Sequence, residues 1–164
     1  YEGKFPEEGD KIRYGDLVRL YHESSSRFLG TDNQNYQGGS GQTRIFTSDV
    51  DTVWRLAPLP GTDEEDGYET NEKLHSSPGV TSPVTGEQEV SAFSGGDSND
   101  NWTIKAADDD NKDGFWRVGE NIFLVHSASG HYLHSHDIQL DNDVFEVIAR
   151  AEHDSNSVWS VPSN

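Results

Sequence analysis

Tyr132-Leu133-His134-Ser135-His136-Asp137 is the stretch on which the reading of this chain turns, because pieces of it recur upstream as Leu74-His75-Ser76 and Phe28-Leu29-Gly30. Each leucine is followed by a Gly/Gln/Glu stretch and then a β-branched residue. That residue lies 16 positions on at Ile45 and Val90, and 14 on at Val147. A tryptophan then follows the leucine at 25, 28 and 26 positions, as Trp54, Trp102 and Trp159. Units of about 50 residues are too long for a thin solenoid, and three are too few for a propeller. They suit a closed all-β domain in which each unit supplies one third of a shared core. The three tryptophans are expected in that core; Trp116 stands outside the repeat and is expected nearer the surface.

A second alignment supports the repeat. Leu17 to His22 reads as a strand, Glu23 to Ser26 as a turn and Arg27 to Leu29 as the return. Asn121 to His126, Ser127 to Gly130 and His131 to Leu133 repeat that hairpin. His22 matches His126, Phe28 matches Tyr132 and Leu29 matches Leu133 at a constant offset of 104. The second unit is short: Trp102 to Leu133 spans 31 positions, but Trp54 to Leu74 only 20. Gly61 to Glu72 stands where its first strand and turn belong, without apolar alternation. Either that unit has lost a strand or residues are missing from the chain within 61–73. The second alternative is preferred, because a closed barrel short of one strand exposes two unpaired edges. The expected organisation is a loose N-terminal arm over 1–12, then one domain over 13–164 with repeats at about 13–58, 59–106 and 115–161.

Twelve Lys and Arg stand against 30 Asp and Glu, a net charge of −18. Such a surface repels phosphate backbones and disfavours nucleic acid as a partner. With no cysteine or methionine, thiolate and disulfide chemistry are excluded. No apolar run approaches the length of a membrane-spanning helix. No segment pairs helical periodicity with caps, and the short strands rich in Val, Ile, Phe, Tyr and Thr fit a barrel or trefoil.

Gly39-Ser40-Gly41-Gln42, the run from Ser82 to Phe93, Tyr132 to Asp137, and the Asp-Ser-Asn segments at 97–99 and 154–156 together resemble the MIR domain. MIR domains occur in protein O-mannosyltransferases, inositol trisphosphate and ryanodine receptors, and the stromal cell-derived factor family. Gly86 to Phe93 and Leu133 to Asp137 lean towards the stromal cell-derived factor branch. The resemblance implies a β-trefoil with threefold pseudo-symmetry, made of three MIR-type repeats. It implies a non-enzymatic module of the endoplasmic reticulum lumen or the extracellular space that recognises glycan or unfolded, mannosylated polypeptide. Hsp40-type and Hsp70-type chaperones are the implied partners. The alternative is an interaction or structural domain of a larger extracellular or membrane assembly, such as the lumenal MIR domain of a protein O-mannosyltransferase. Phe28-Leu29-Gly30-Thr31-Asp32 departs from the family's Leu-His-Ser-His-Asp in the first unit.

The candidate ligand-binding residues are His75, Ser76, Tyr132, His134, Ser135, His136 and Asp137. Ser135, His136 and Asp137 offer partners for sugar hydroxyls, and Tyr132 offers a stacking face. His134 and His136 alternate on a strand, so both rings share one face, which also suits a metal. The plainer reading makes each Leu-His-Ser histidine a neutral group that orders a trefoil turn by hydrogen bonding. Asp109, Asn111, Asp113 and Glu120 fall at positions one, three, five and twelve of an EF-hand-like calcium loop with Gly114 at six. Strand-like flanks favour a solvated turn there, so calcium is one of two readings and no other cofactor is expected. Asn101-Trp102-Thr103 is an N-glycosylation sequon. No nucleophile–base arrangement, phosphate loop or paired buried carboxylates stand out, so no catalytic residue is assigned.

Overall fold

The computed structural model describes residues 3–57, 72–94, 97–108 and 114–163. Apart from two single-turn 3-10 segments, Ser98–Asp100 and Ser155–Ser157, its regular structure is all strand. Among the described residues, no helix is long and apolar enough to cross a membrane. The first unit carries β1 (Leu17–Val18), β2 (Tyr21–His22), β3 (Arg27–Asn35), β4 (Thr43–Ser48) and β5 (Trp54–Arg55). The second carries β6 (Lys73–Thr81), β7 (Gln88–Phe93) and β8 (Trp102–Ala106). The third carries β9 (Ile122–His126), β10 (Tyr132–Asp141), β11 (Val144–Arg150) and β12 (Trp159–Ser160).

Each unit contributes one long antiparallel hairpin, β3–β4, β6–β7 or β10–β11. Thr31 faces Ile45, Ser76 faces Val90 and Ser135 faces Val147 across the ladders. This pairing explains the leucine-to-β-branched spacing, since the residue two past each leucine is the one that meets the β-branched partner. The inner strands close a triangle about the pseudo-axis, with β4 on β7, β7 on β11 and β11 on β4. Barrel strands pair as β1–β5, β2–β12, β12–β9 and β9–β8. The first strand of unit one is broken between β1 and β2, because its two halves pair with different neighbours.

Three sets of equivalent contacts fix the symmetry. The indole N–H of Trp54 donates to the Leu29 carbonyl, Trp102 to Leu74 and Trp159 to Leu133, each at 3.0 Å. The hydroxyls of Thr31, Ser76 and Ser135 donate to the carbonyls of Arg44, Glu89 and Glu146 at 2.8, 2.6 and 2.9 Å. Leu29, Ile45, Val90, Leu133, Val147 and Trp159 are fully excluded from water. The chain is therefore an all-β trefoil with threefold pseudo-symmetry.

One expectation is corrected. The N-terminal arm is docked from residue 3 on. Leu17 N–H donates to the Lys4 carbonyl, Ile12 N–H to Trp116 and Val118 N–H to Asp10, and Lys11 bridges Arg117. The arm is held by backbone pairing, which its polar composition does not reveal. Trp116, outside the repeat, is partly buried and packs against the core, as Trp54 and Trp102 do. The expected missing strand of unit two, and the question of residues absent within 61–73, fall mainly on 58–71, outside the described residues.

Candidate functional site

The histidines sort by position in the repeat. His22 Nε2–H donates to the Asn156 carbonyl at 2.7 Å, which leaves Nδ1 to accept from Ser25 Oγ at 2.6 Å. His126 repeats this with Asn99 at 2.9 Å and Ser129 at 2.7 Å. A carbonyl can only accept, so both rings are set as the same neutral tautomer. Burial pushes both below the ordinary histidine range. These two brace a barrel strand to the 3-10 turn that precedes a repeat tryptophan.

In units two and three the residue after the repeat leucine lies beneath such a turn. In unit two, His75 Nδ1 lies 2.8 Å from Asp100 Oδ1 and 3.6 Å from Asp97 Oδ1, and Nε2 lies 2.9 Å from Ser77 Oγ. In unit three, His134 Nε2 lies 3.3 Å from His136 Nδ1, and His136 Nε2–H donates to Glu146 Oε1 at 2.7 Å. His134 Nδ1 has no hydrogen-bond partner and faces Asp154 Oδ1 at 3.5 Å. Burial pushes the His134 ring down to about 4, so it is neutral at pH 7. In unit one the position is Gly30, where a Cβ would stand 2.7 Å from Thr52 Oγ1.

A second ring of residues stitches each unit to the loop of its neighbour. Glu89, from unit two, accepts from Ser40 N–H at 3.1 Å and from the Ser40 hydroxyl of the unit-one loop. A Cβ at Gly39 would lie 2.1 Å from Glu89 Oε1, so that loop needs glycine to close on the carboxylate. Glu146, from unit three, accepts from the Ser82 hydroxyl and from Thr85 N–H and Oγ1, both at 3.1 Å, in the unit-two loop. Arg44, from unit one, pairs with Asp32 at 2.7 Å and reaches Asp141 of the unit-three loop at 3.2 Å. Burial is the largest influence on each glutamate. It wins at Glu89, whose carboxyl is pushed above the usual range. At Glu146 the hydrogen bonds from His136, Ser82 and Thr85 outweigh it and hold the carboxyl below that range.

The predicted ligand residues therefore separate. Ser76, Ser135, His75 and His134 are buried, and the two serine hydroxyls are committed to backbone carbonyls. His136 is committed to Glu146. Asp137 is exposed and pairs with Arg27 at 3.0 Å. Tyr132 is partly exposed and stands in a three-ring cluster, 5.4 Å from Phe123 and 5.0 Å from exposed His153 between centroids, with Phe123 and His153 at 4.5 Å. Neither Phe123 nor His153 was marked by motif, since the cluster joins β9, β10 and the loop after β11. A groove at the hairpin end is lined by Gln34 to Gln37, Pro83, Val84, Leu140 and Asp141, with Arg44 among them. All three units contribute to it, so this recess is shared and is not repeated once per unit.

Asp109, Asn111 and Asp113 lie outside the described residues. Glu120, the twelfth position of that loop, is described, and its Oε1 is buried without a hydrogen-bond partner. Asn101 is partly buried next to Trp102, and the Thr103 hydroxyl of the sequon lies 2.8 Å from Ser127 Oγ.

No family model matches the chain. Over 175 aligned residues it is 29% identical to the stromal cell-derived factor 2-like protein of Arabidopsis thaliana, covering 93% of this chain and 78% of that protein. The crystal structure of the SDF2-like protein from Arabidopsis thaliana superimposes with a TM-score of 0.82 at 27% identity, covering 94% of this chain and 99% of that one. The S. cerevisiae protein O-mannosyltransferase Pmt1–Pmt2 complex, solved bound to the sugar donor, matches with a TM-score of 0.74 at 21% identity. That match spans 97% of this chain and 26% of the other, and is a likeness of fold. The chain is thus similar in sequence and fold to SDF2-like proteins, and its resemblance to MIR-type trefoils extends over nearly all of its length.

Proposed function

We propose that this MIR-type module is non-enzymatic, works in the secretory route, and recognises glycan or extended polypeptide on the rim of its third unit. The observation that carries the reading is the Phe123–Tyr132–His153 cluster. A partly exposed tyrosine held edge-on by two other rings gives a rigid stacking face at low entropic cost. Asp137, exposed further along the same strand and anchored by Arg27, offers acceptors for hydroxyl or amide groups. The polar residues of the repeat motif hold the frame, which leaves stacking as the main source of affinity. A single shallow patch binds weakly, so useful affinity comes from several contacts or from tethering. The non-enzymatic reading is supported by the engagement of the buried carboxylates Glu89 and Glu146 in holding neighbouring loops.

The test is a titration of the full chain with manno-oligosaccharides and with an unfolded mannosylated peptide, followed by amide and side-chain NMR shifts. Shifts confined to the Tyr132 region, lost in Tyr132→Ala with the fold intact, are expected. If neither ligand moves that region while an Hsp40-type chaperone binds tightly, glycan and polypeptide recognition is wrong and the chaperone-partner version replaces it.

A second reading is an interaction domain of a larger membrane assembly, supported by the likeness to part of the Pmt1–Pmt2 complex. The size-exclusion behaviour of the intact native protein separates the two readings. Calcium at the loop ending in Glu120 is supported by the unpartnered buried carboxylate oxygen. A calcium-dependent rise in Tm that Glu120→Gln removes is the expected outcome, and the absence of any rise overturns it.

A further inference from the structure

The donors beneath the 3-10 turn of the second unit form a set that the recognition surface does not use. His75 Nδ1, Asp97 and Asp100 present one ligand atom each, all within 4.8 Å of one another. We propose that this is a binding site for a divalent transition ion of the zinc class, a property separate from the rim recognition proposed above. One imidazole nitrogen with two carboxylate oxygens is a borderline donor set, which suits zinc, cobalt or manganese.

The supports of the site are already in place. Asp97 Oδ1 accepts from Asn99 N–H at 2.9 Å, and Asp100 Oδ2 accepts from Asp97 N–H at 2.8 Å, so backbone donors aim both carboxylates. The imidazole and Asp100 are only 3% and 5% exposed, whereas Asp97 is 50% exposed. The site is closed on the protein side and open on one, which leaves coordination positions for water. Phe93 packs on the imidazole with centroids 4.5 Å apart. On metal binding, Nδ1 gives up its proton to solvent and Nε2 carries one instead. Ser77 Oγ, 2.9 Å away, is placed to accept that N–H. The net charge of −18 concentrates cations at the surface.

Unit three supplies an independent observation. His134 is 1% exposed, and its Nδ1 faces Asp154 at 3.5 Å, matching the 3.6 Å of His75 to Asp97. Ser157 stands there in the place of Asp100. His136 Nδ1 accepts the His134 Nε2–H, so His134 Nδ1 presents its lone pair towards the Asp154 carboxylate without a hydrogen bond to it. The frame therefore aims this nitrogen at the turn whether or not a hydrogen bond rewards it. Unit two adds the third donor that unit three lacks. Unit one, with Gly30 and Thr52, has none of the three.

The experiment is calorimetric titration of the full chain with zinc, cobalt d–d absorption for coordination, and histidine ring NMR to identify the nitrogen. One tight equivalent is expected, shifting the His75 ring before those of His131 and His153. Asp97→Asn and Asp100→Asn each keep a cap acceptor but lose the charge, and each is expected to weaken zinc by tenfold or more without lowering Tm. Ser157→Asp is expected to raise the stoichiometry from one to two. If His75 does not shift within the first equivalent, or the two Asn variants bind zinc as the parent does, the site is refuted and any binding belongs to surface histidines.

Discussion

Leu29, Leu74 and Leu133 do one job three times, whereas Gly30, His75 and His134, one residue further on, do three different ones. The leucines and the tryptophans that bond to their carbonyls form the frame, and departures among them are small. The next positions serve close packing in unit one, a histidine–carboxylate cluster in unit two and a histidine chain to a buried glutamate in unit three. Alternation along a strand explains how both can be true. One face is bound by packing about a common axis and must repeat, and the other meets a different turn in each unit and is free to diverge.

The largest effect that sharpens this comparison lies within the frame. Trp159 is fully buried, and Trp54 only partly, although both make the same hydrogen bond. Trp159→Ala is expected to cost about 3–5 kcal/mol in urea unfolding and Trp54→Ala clearly less. Equal costs would mean that the hydrogen bond, and not burial, dominates each third.

The next effect comes from the histidines. His22, His126 and His134 all have lowered values in the fold. Stability from their neutral forms is complete above the unfolded value of about 6.5 and is lost as pH falls towards the folded values. For His134 that window runs from about 6.5 down to about 4, and the loss is on the order of 3 kcal/mol. Glu89 works with the opposite sign: its raised carboxyl favours the fold at low pH, and that contribution fades as pH rises through its folded value. Glu89→Gln should therefore steepen the acid loss between pH 6.5 and 4. A stability profile that stays flat through this window breaks the assignment of these rings as buried and neutral.

A smaller effect separates the two glutamates of the stitching ring. The Glu146 carboxylate is preferred over its acid by His136, Ser82 and Thr85, so Glu146→Gln at pH 7 should cost about 1–3 kcal/mol. Glu89 is held against the preference of its surroundings, so Glu89→Gln should change stability by under about 1 kcal/mol. Matching losses in thermal unfolding would show that the two loops hold their carboxylates alike.

The frame was legible in the sequence because its constraint is periodic. A leucine, a β-branched partner and a tryptophan at near-constant spacing mark one core position in each unit. What could not be read is which residues meet across units. Ser40 and Glu89 are 49 residues apart, and Ser82 and Glu146 are 64 apart, and no local pattern links them. The polar residues of the Leu-His-Ser-His-Asp motif looked like ligand groups because hydroxyls and imidazoles serve hydrogen-bonded frames and sugar sites equally well. Only burial tells the two apart, and burial here depends on the turn from Asp154 that closes over the motif.

The smallest effect tests how far the repeat constrains the backbone itself. Ser26 and Gly130 are partners at the 104-residue offset, and both adopt positive φ, 59° and 73°. Both also close the same turn, with Ser26 N–H donating to the His22 carbonyl at 2.9 Å and Gly130 N–H to His126 at 2.7 Å. A side chain in this region costs about 1–2 kcal/mol, which glycine avoids. Glycine gives part of that back, about 0.4–1 kcal/mol, through a freer unfolded chain. Ser26→Gly should therefore raise stability by roughly 0.5 kcal/mol. Gly130→Ala, with nothing within 4 Å of its new Cβ, should lower it by a similar amount through backbone strain alone. Opposite signs at the two positions would show that one turn geometry is imposed on both units and that unit one pays for it. If Ser26→Gly is destabilising instead, the exposed serine contributes something locally that outweighs its strain, and the two hairpins are less alike than their shared offset implies.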